Sequence, residues 1–168
     1  MGGHFLENQF IKKGRVDMKA SATVLCNNIL LRANNEGIEI TPMKLQKLMY
    51  YTCRDYAQKT GASPLGESFE VWQYGPVLPS VYSEFKAFRA EPIRGFAKDA
   101  TGNSFRVSES ENPILSEVLD LIWAKYKRLS GVDLSRMTHE AGSGWHEAYM
   151  RDSTEIALED MVNDVSGK

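Results

Sequence analysis

The chain has 168 residues, 42% of them hydrophobic and 25% charged, with 20 Lys and Arg against 22 Asp and Glu. That length and balance fit one domain able to build its own core, and they exclude a wholly disordered chain. A formal charge of −2 argues against a nucleic-acid binder that relies on a broad positive field.

No stretch approaches the ~18 consecutive apolar residues of a membrane span. Residues 1–17 lack the apolar run of a signal peptide. Cys26 and Cys53 fall in apolar-patterned stretches and form no disulfide framework. The expectation is a reduced, cytoplasmic protein without a membrane partner.

Residues 1–17 show no clear period and read as an N-terminal arm or tag remnant, with the domain proper over residues 18–168. Asp17 is placed to cap a first helix over about Met18–Ala33, with Ala22, Leu25, Cys26, Ile29 and Ala33 on one face. Asn34-Asn35-Glu36-Gly37 supplies the stop. Thr41-Pro42 is a strong start, a capping hydroxyl followed by Pro at the first helical position. The second helix runs to about Lys59 and ends at Gly61. Leu45, Leu48, Met49, Thr52 and Tyr56 form its apolar stripe, with Gln46, Tyr50, Cys53 and Ala57 on the flank. Only Lys47, Tyr51, Arg54 and Gln58 read as a wet face, so this helix is expected to be central and packed on two sides.

Phe69–Tyr74 is aromatic and β-branched and reads as extended, broken by Gly75-Pro76. A helix over about Ser80–Phe88 follows, with Val81, Tyr82, Phe85 and Phe88 inward. Ile93–Val107 looks like a small hairpin turning at Asp99–Asn103. Asn112-Pro113 opens another helix, with Ile114, Val118, Leu121, Ile122, Tyr126 and Leu129 inward and Gly131 as its end. Leu119 and Trp123 lie beside that face, as further core or as a partner surface. Asp133–Glu140 is a short helix, Gly142-Ser143-Gly144 a break, and Trp145–Met150 a further turn. A last amphipathic helix begins at Ser153/Thr154, with Leu158, Met161, Val162 and Val165 on one face and an acidic remainder. The fold class is therefore mainly α, a compact multi-helix domain with a small β-hairpin or short strand element.

Reactive chemistry is sparse. The histidines and cysteines stand in no metal-ligand spacing, and no phosphate-binding or dinucleotide loop is present. A Cys53–His139 nucleophile pair is conceivable, but packing of Cys53 on the second helix is favoured. No metal, cofactor or enzymatic activity is expected. Lys44, Gln46, Lys47 and Arg54 are weighed both as a DNA-reading face and as a solvated face. Trp72–Pro76 is the densest cluster, and Trp72 and Tyr74 are expected to act as core.

Three blocks carry a resemblance. Lys44-Leu45-Gln46-Lys47-Leu48-Met49-Tyr50-Tyr51 resembles the opening "KLQKLLYY" of SocA-like Panacea-domain antitoxins. Phe69–Tyr82, with Trp72, Tyr74, Gly75, Pro76, Pro79 and Tyr82, is similar to that family's "F.AW.YGPVVP.VY". Leu134–His139, with Thr138 and His139, followed by Trp145 resembles its closing "LS.LTH….PW". Gly144 stands where the family usually has Pro. The resemblance implies a phage- or mobile-element-associated antitoxin that neutralises a protein toxin encoded nearby by direct binding, with a proteolytic-adaptor variant that delivers the toxin to the ClpXP protease. A DNA-binding regulator of its own operon is the alternative. Lys47, Tyr51, Arg54 and Trp123 are the partner-binding candidates, and the motif residues are read as structural. His139 is expected to hydrogen-bond locally and to lock the Trp145 segment.

Overall fold

The computed structural model describes residues 6–8 and 19–168. Over these residues seven α-helices surround one another, with two small two-stranded sheets. Helix α1 spans Ala22–Glu36 and starts at Ser21, later than the expected Asp17 cap, which lies outside the described residues along with Met18. Gly37 closes it at φ 65°. Helix α2, Pro42–Thr60, has the ends its sequence dictates: the Thr41 hydroxyl accepts from Lys44 N, and Gly61 terminates the helix. Such a cap contributes about 1 kcal/mol.

Helix α2 is the axis of the domain. It packs against α1, α3 (Pro79–Phe85), α4 (Pro113–Tyr126), α5 (Gly131–Thr138) and α7 (Leu158–Val162). This burial is more complete than two-sided packing. Leu45, Leu48, Met49, Tyr50, Cys53 and Ala57 are all fully enclosed. The remaining helix, α6, spans Gly144–Met150.

Four strands are present in the described residues: β1 (Leu6–Asn8), β2 (Glu70–Trp72), β3 (Gly75–Val77) and β4 (Phe105–Val107). Strands β2 and β3 are antiparallel, paired Glu70 to Val77 and Trp72 to Gly75 around a Gln73-Tyr74 turn. Gly75-Pro76 thus does not break the strand; it begins its partner. Strand β1, drawn from the segment read as an arm, pairs in parallel with β4.

The expected Ile93–Val107 hairpin forms its turn but not its ladder. Asp99 N donates to Asn103 O at 2.8 Å. The flanking backbone is instead claimed by α1. The Asn27 side chain bonds Ala97 N, Ala97 O and Phe105 O, and the Asn28 side chain bonds Val107 N and O. On the side of β4 away from β1, side-chain amides take the place of the expected hairpin partner, which satisfies the backbone equally well.

Other faces rotate relative to the expectation. On α4 the buried residues are Leu115, Val118, Leu119, Ile122, Trp123 and Tyr126, while Ile114 and Leu121 are exposed. That helix is apolar nearly all round, so periodicity alone does not select its inner stripe. Gly131 does not end α4 but begins α5, where Ser130 and Asp133 form a reciprocal capping box. The last helix starts only at Leu158. It turns Leu158 and Val162 outward, as is Val165 beyond it, and buries Asp160 and the following Asp164.

Candidate functional site

The family-motif residues converge on one object, the β2–β3 hairpin and the segment that follows it. Five of its carbonyl oxygens accept hydrogen bonds from side chains or face a ring nitrogen. Trp145 Nε1 donates to Trp72 O at 2.8 Å, and Ser135 Oγ to Tyr74 O at 2.6 Å. Lys47 Nζ donates to Pro76 O at 2.9 Å, and Gln46 Nε2 to Leu78 O at 3.1 Å. The His139 ring places Nε2 2.9 Å from Gln73 O and Nδ1 2.6 Å from Ser135 O. Gln46 Oε1 in turn accepts from Leu78 N at 2.8 Å. His139 also lies against the Trp145 ring, with centroids 4.1 Å apart, and so ties α6 to α5.

Why these residues meet follows from helical spacing. Ser135, Thr138 and His139 sit at i, i+3 and i+4 on α5 and face the hairpin together. Thr138 Oγ1 caps back on Ser135 O, and Ser143 Oγ holds Thr138 O. Gly75 adopts φ 111°, and a Cβ there would stand 2.9 Å from Lys47 Cε and collide with the Thr138 hydroxyl. Only glycine lets the hairpin seat this closely. Pro79, at the first helical position, starts α3 directly after the held segment.

Because the grip is on backbone, the side chains at the tip point away. Tyr74 is 60% exposed and Tyr82 44% exposed, correcting the expectation that Tyr74 is core and Tyr82 inward. Trp72 is half-buried, its ring edge-on to Tyr82 at 4.8 Å and its indole N–H on Glu70. Beside them runs an apolar cleft of about 340 Å³ between α2, the hairpin and α3, with Met43, Tyr82 and Phe85 in its walls, Lys47 lining it from below and Arg89 at its rim.

The proposed wet face does not exist. Lys47 is 1%, Tyr51 0% and Arg54 2% exposed, and Trp123 on α4 is 6% exposed. Lys and Arg are seldom this buried unless they are paired. Apart from Asp55 next to Arg54, their partners come from distant parts of the chain. Arg54 donates to Asp55 Oδ1, Ser166 O and, at 3.5 Å, Asp164 Oδ1. Burial works against its charge, and Asp55 and Asp164 outweigh that effect. Tyr51 OH meets Ser166 Oγ at 3.1 Å, and Tyr50 OH donates to Asp164. Burial first, then the Asp164 charge, pushes the Tyr50 phenol well above its ordinary range. Lys44 Nζ donates to Lys127 O. The four side chains weighed for DNA contact, Lys44, Gln46, Lys47 and Arg54, are therefore all engaged inside the protein.

Among the described residues Lys44 and Lys47 reach backbone carbonyls and no carboxylate, and burial alone lowers both amines, that of Lys47 to about 7. Cys53 is fully enclosed, burial pushes its thiol up, and His139 is turned to the hairpin carbonyls, so the two form no nucleophile pair. Among the described residues no three His, Cys, Asp or Glu side chains are grouped to hold a metal ion. No helix there is long and apolar enough to cross a membrane.

Sequence reasoning passed over Ser135, Arg89 and Asp164 as site or framework residues. Ser135 was detectable from its i, i+4 relation to His139. Asp164 and Arg89 carry no local signal.

The hairpin is thus held by its backbone and turns the Tyr74 ring outward. The chain belongs to the SocA-like antitoxin family: the family model described as "Antitoxin SocA-like, Panacea domain" matches residues 45–146. That span contains the hairpin and all five side chains that hold it. The chain is also 29% identical over 127 residues to Antitoxin SocA of Caulobacter vibrioides (strain NA1000 / CB15N), covering 74% of this chain and 68% of that protein. No solved structure matches it. Membership places the protein among antitoxins, whose counterpart is a toxin.

Proposed function

We propose that this antitoxin neutralises a protein toxin encoded nearby by direct, stoichiometric binding at the hairpin tip and the cleft beside it, without turnover. One observation carries the reading: Tyr74 stands exposed on a segment whose backbone is fixed by Gln46, Lys47, Ser135, His139 and Trp145, with the exposed Tyr82 on the helix that follows it. Interface energy concentrates in a few Trp, Tyr and Arg anchors. A segment already ordered in the free protein loses little further entropy on binding. The anchors are thus Tyr74, Tyr82 and Trp72, in place of Tyr51, Arg54 and Trp123.

Growth rescue from the neighbouring toxin tests this. Tyr74→Ala should weaken toxin binding by about 2 kcal/mol or more, roughly thirtyfold. It should leave stability within about 0.5 kcal/mol, since the ring is exposed. Undiminished rescue by Tyr74→Ala combined with Tyr82→Ala refutes the surface. Rescue at strongly substoichiometric levels refutes sequestration. If it persists in a protease-deficient host it indicates turnover, and if it needs ClpXP it indicates delivery to the protease.

A further inference from the structure

The cleft beside the hairpin has a charge pattern that its apolar walls do not explain. Two basic side chains line it, Lys47 and Arg89, and among the described residues no carboxylate does. Lys47 is the unusual one. In its charged form it has three N–H donors, and among the described residues the one acceptor it reaches is Pro76 O. Holding the charge there with two unmet donors is costly, and a hydrophobic side chain of similar size would fill the space without that cost. Arg89 carries a second cost. It sits at φ 54°, ψ −117°, a conformation ordinarily left to glycine, and this sets the arginine at the rim of the same cleft.

We infer that the cleft is a subsite for an acidic residue flanked by a bulky apolar one in a segment of the partner protein, the apolar side chain lying among Met43, Tyr82 and Phe85 and the carboxylate accepting from Lys47 and Arg89. The inference rests on the antitoxin reading and names the chemistry of the partner. A carboxylate supplies the acceptor that Lys47 lacks, and charge-assisted bonds of this kind are the strong ones. A cleft of about 340 Å³ holds one or two side chains rather than a folded surface. Nucleic acid is the poorer occupant. A phosphate chain draws on many exposed cations, whereas this cleft is mostly apolar.

The titratable groups that line the cleft with Lys47 are Tyr74 at the hairpin tip, Tyr82 on α3 and Arg89 after it. None of them is the cause of its lowered amine, which is burial. A carboxylate arriving beside the amine favours its charged form. Complex formation at pH 8 is therefore accompanied by proton uptake, read by calorimetry in two buffers of different ionisation enthalpy.

The test selects random heptapeptides displayed on phage against the full chain. Selected peptides should place Asp or Glu beside Leu, Ile, Phe or Trp. Changing that acid to its amide should weaken binding to the wild type about tenfold, and binding to Lys47→Met less than about twofold. Arg89→Gln, at the exposed rim, gives a second cycle should Lys47→Met fail to melt cooperatively. Failure to select any peptide overturns the inference, as does selection without an acidic residue or an equal loss in wild type and variants. Displacement of the peptides by a single-stranded oligonucleotide, with steep salt dependence, overturns it as well. The two readings separate cleanly. If the coexpressed toxin is held equally by wild type, Lys47→Met and Arg89→Gln, the carboxylate subsite fails and the antitoxin reading stands. If the cleft selects acidic peptides but the toxin is not bound, the antitoxin reading fails alone.

Discussion

Replacing Asp164 by Asn keeps the shape of the most connected buried group in the protein and removes its charge. Asp164 is fully enclosed just after α7. One carboxylate oxygen accepts from Tyr50 OH on α2 and from Gly144 N at the start of α6, the latter at 2.9 Å. The other accepts from Ser166 N at 2.7 Å and Ser166 Oγ at 2.6 Å, with Arg54 at 3.5 Å. All roughly four lone-pair sites of the carboxylate are thus in use. An asparagine keeps one accepting oxygen and presents an NH2 on the other side. If the NH2 faces α6, Tyr50 OH can rotate to accept, but Gly144 N–H cannot. If it faces Ser166, it meets a backbone N–H and the Arg54 guanidinium. At least one buried N–H loses its acceptor in either pose, at about 1–3 kcal/mol, and Arg54 loses part of its counter-charge. The expected cost is roughly 2–4 kcal/mol for Asp164→Asn and roughly 3–5 kcal/mol for Asp164→Ala, where the pair is broken outright. For a domain of this size each kcal/mol lowers Tm by about 2–4 °C. Urea unfolding at pH 7, with an unchanged slope, measures it. Glu117→Gln is the control: its carboxylate lies 3.2 Å from Lys59 on the surface, and its loss should cost under about 0.5 kcal/mol. An Asp164→Asn protein within about 1 kcal/mol of wild type would refute the reasoning, because α6 and α7 would then not depend on this carboxylate for their attachment to α2.

Three further outcomes follow from the same geometry. Gly75→Ala forces a Cβ against Lys47 Cε and the Thr138 hydroxyl at φ 111°, and should cost roughly 2–4 kcal/mol in urea unfolding. Gly144→Pro, which installs the residue usual in the family, should destabilise this chain by about 1–3 kcal/mol, because the Gly144 N–H is bonded to Asp164 and a ring there would press on Tyr50 OH and Asp160 O; unchanged melting would contradict it. Lys47 has a folded-state amine lowered to about 7 against an ordinary value of 10.5. Its native form therefore binds fewer protons than the unfolded chain between those values, and stability falls as pH drops from about 10.5 to 7. Lys47→Met removes this dependence, so its stability relative to wild type should rise by up to about 1.4 kcal/mol per pH unit as pH falls across that window, and flatten below it. A pH-independent difference would refute it.

What the sequence determined by itself is what short-range physics controls. Thr41-Pro42, Gly37 and Gly61 mark helix ends because capping and left-handed backbone are properties of a few adjacent residues. The apolar spacing of Leu45, Leu48 and Met49 identified the central helix, and the motif blocks identified the family. Three things required the tertiary structure. The polar residues of α2 looked wet because a charged side chain is rarely enclosed without a partner, and, Asp55 apart, the acceptors of Lys47 and Arg54 lie at Pro76, Asp164 and Ser166, far along the chain. Strand pairing depended on competitors: Asn27 and Asn28 took backbone groups of Ala97, Phe105 and Val107, β4 paired with β1, and Gly75–Val77 found β2. The outward turn of Tyr74 was likewise decided by which groups hold the hairpin. The side chains of Gln46, Lys47, Ser135, His139 and Trp145 take up five backbone carbonyls between residues 72 and 78, so the Tyr74 ring at the tip is left at the surface.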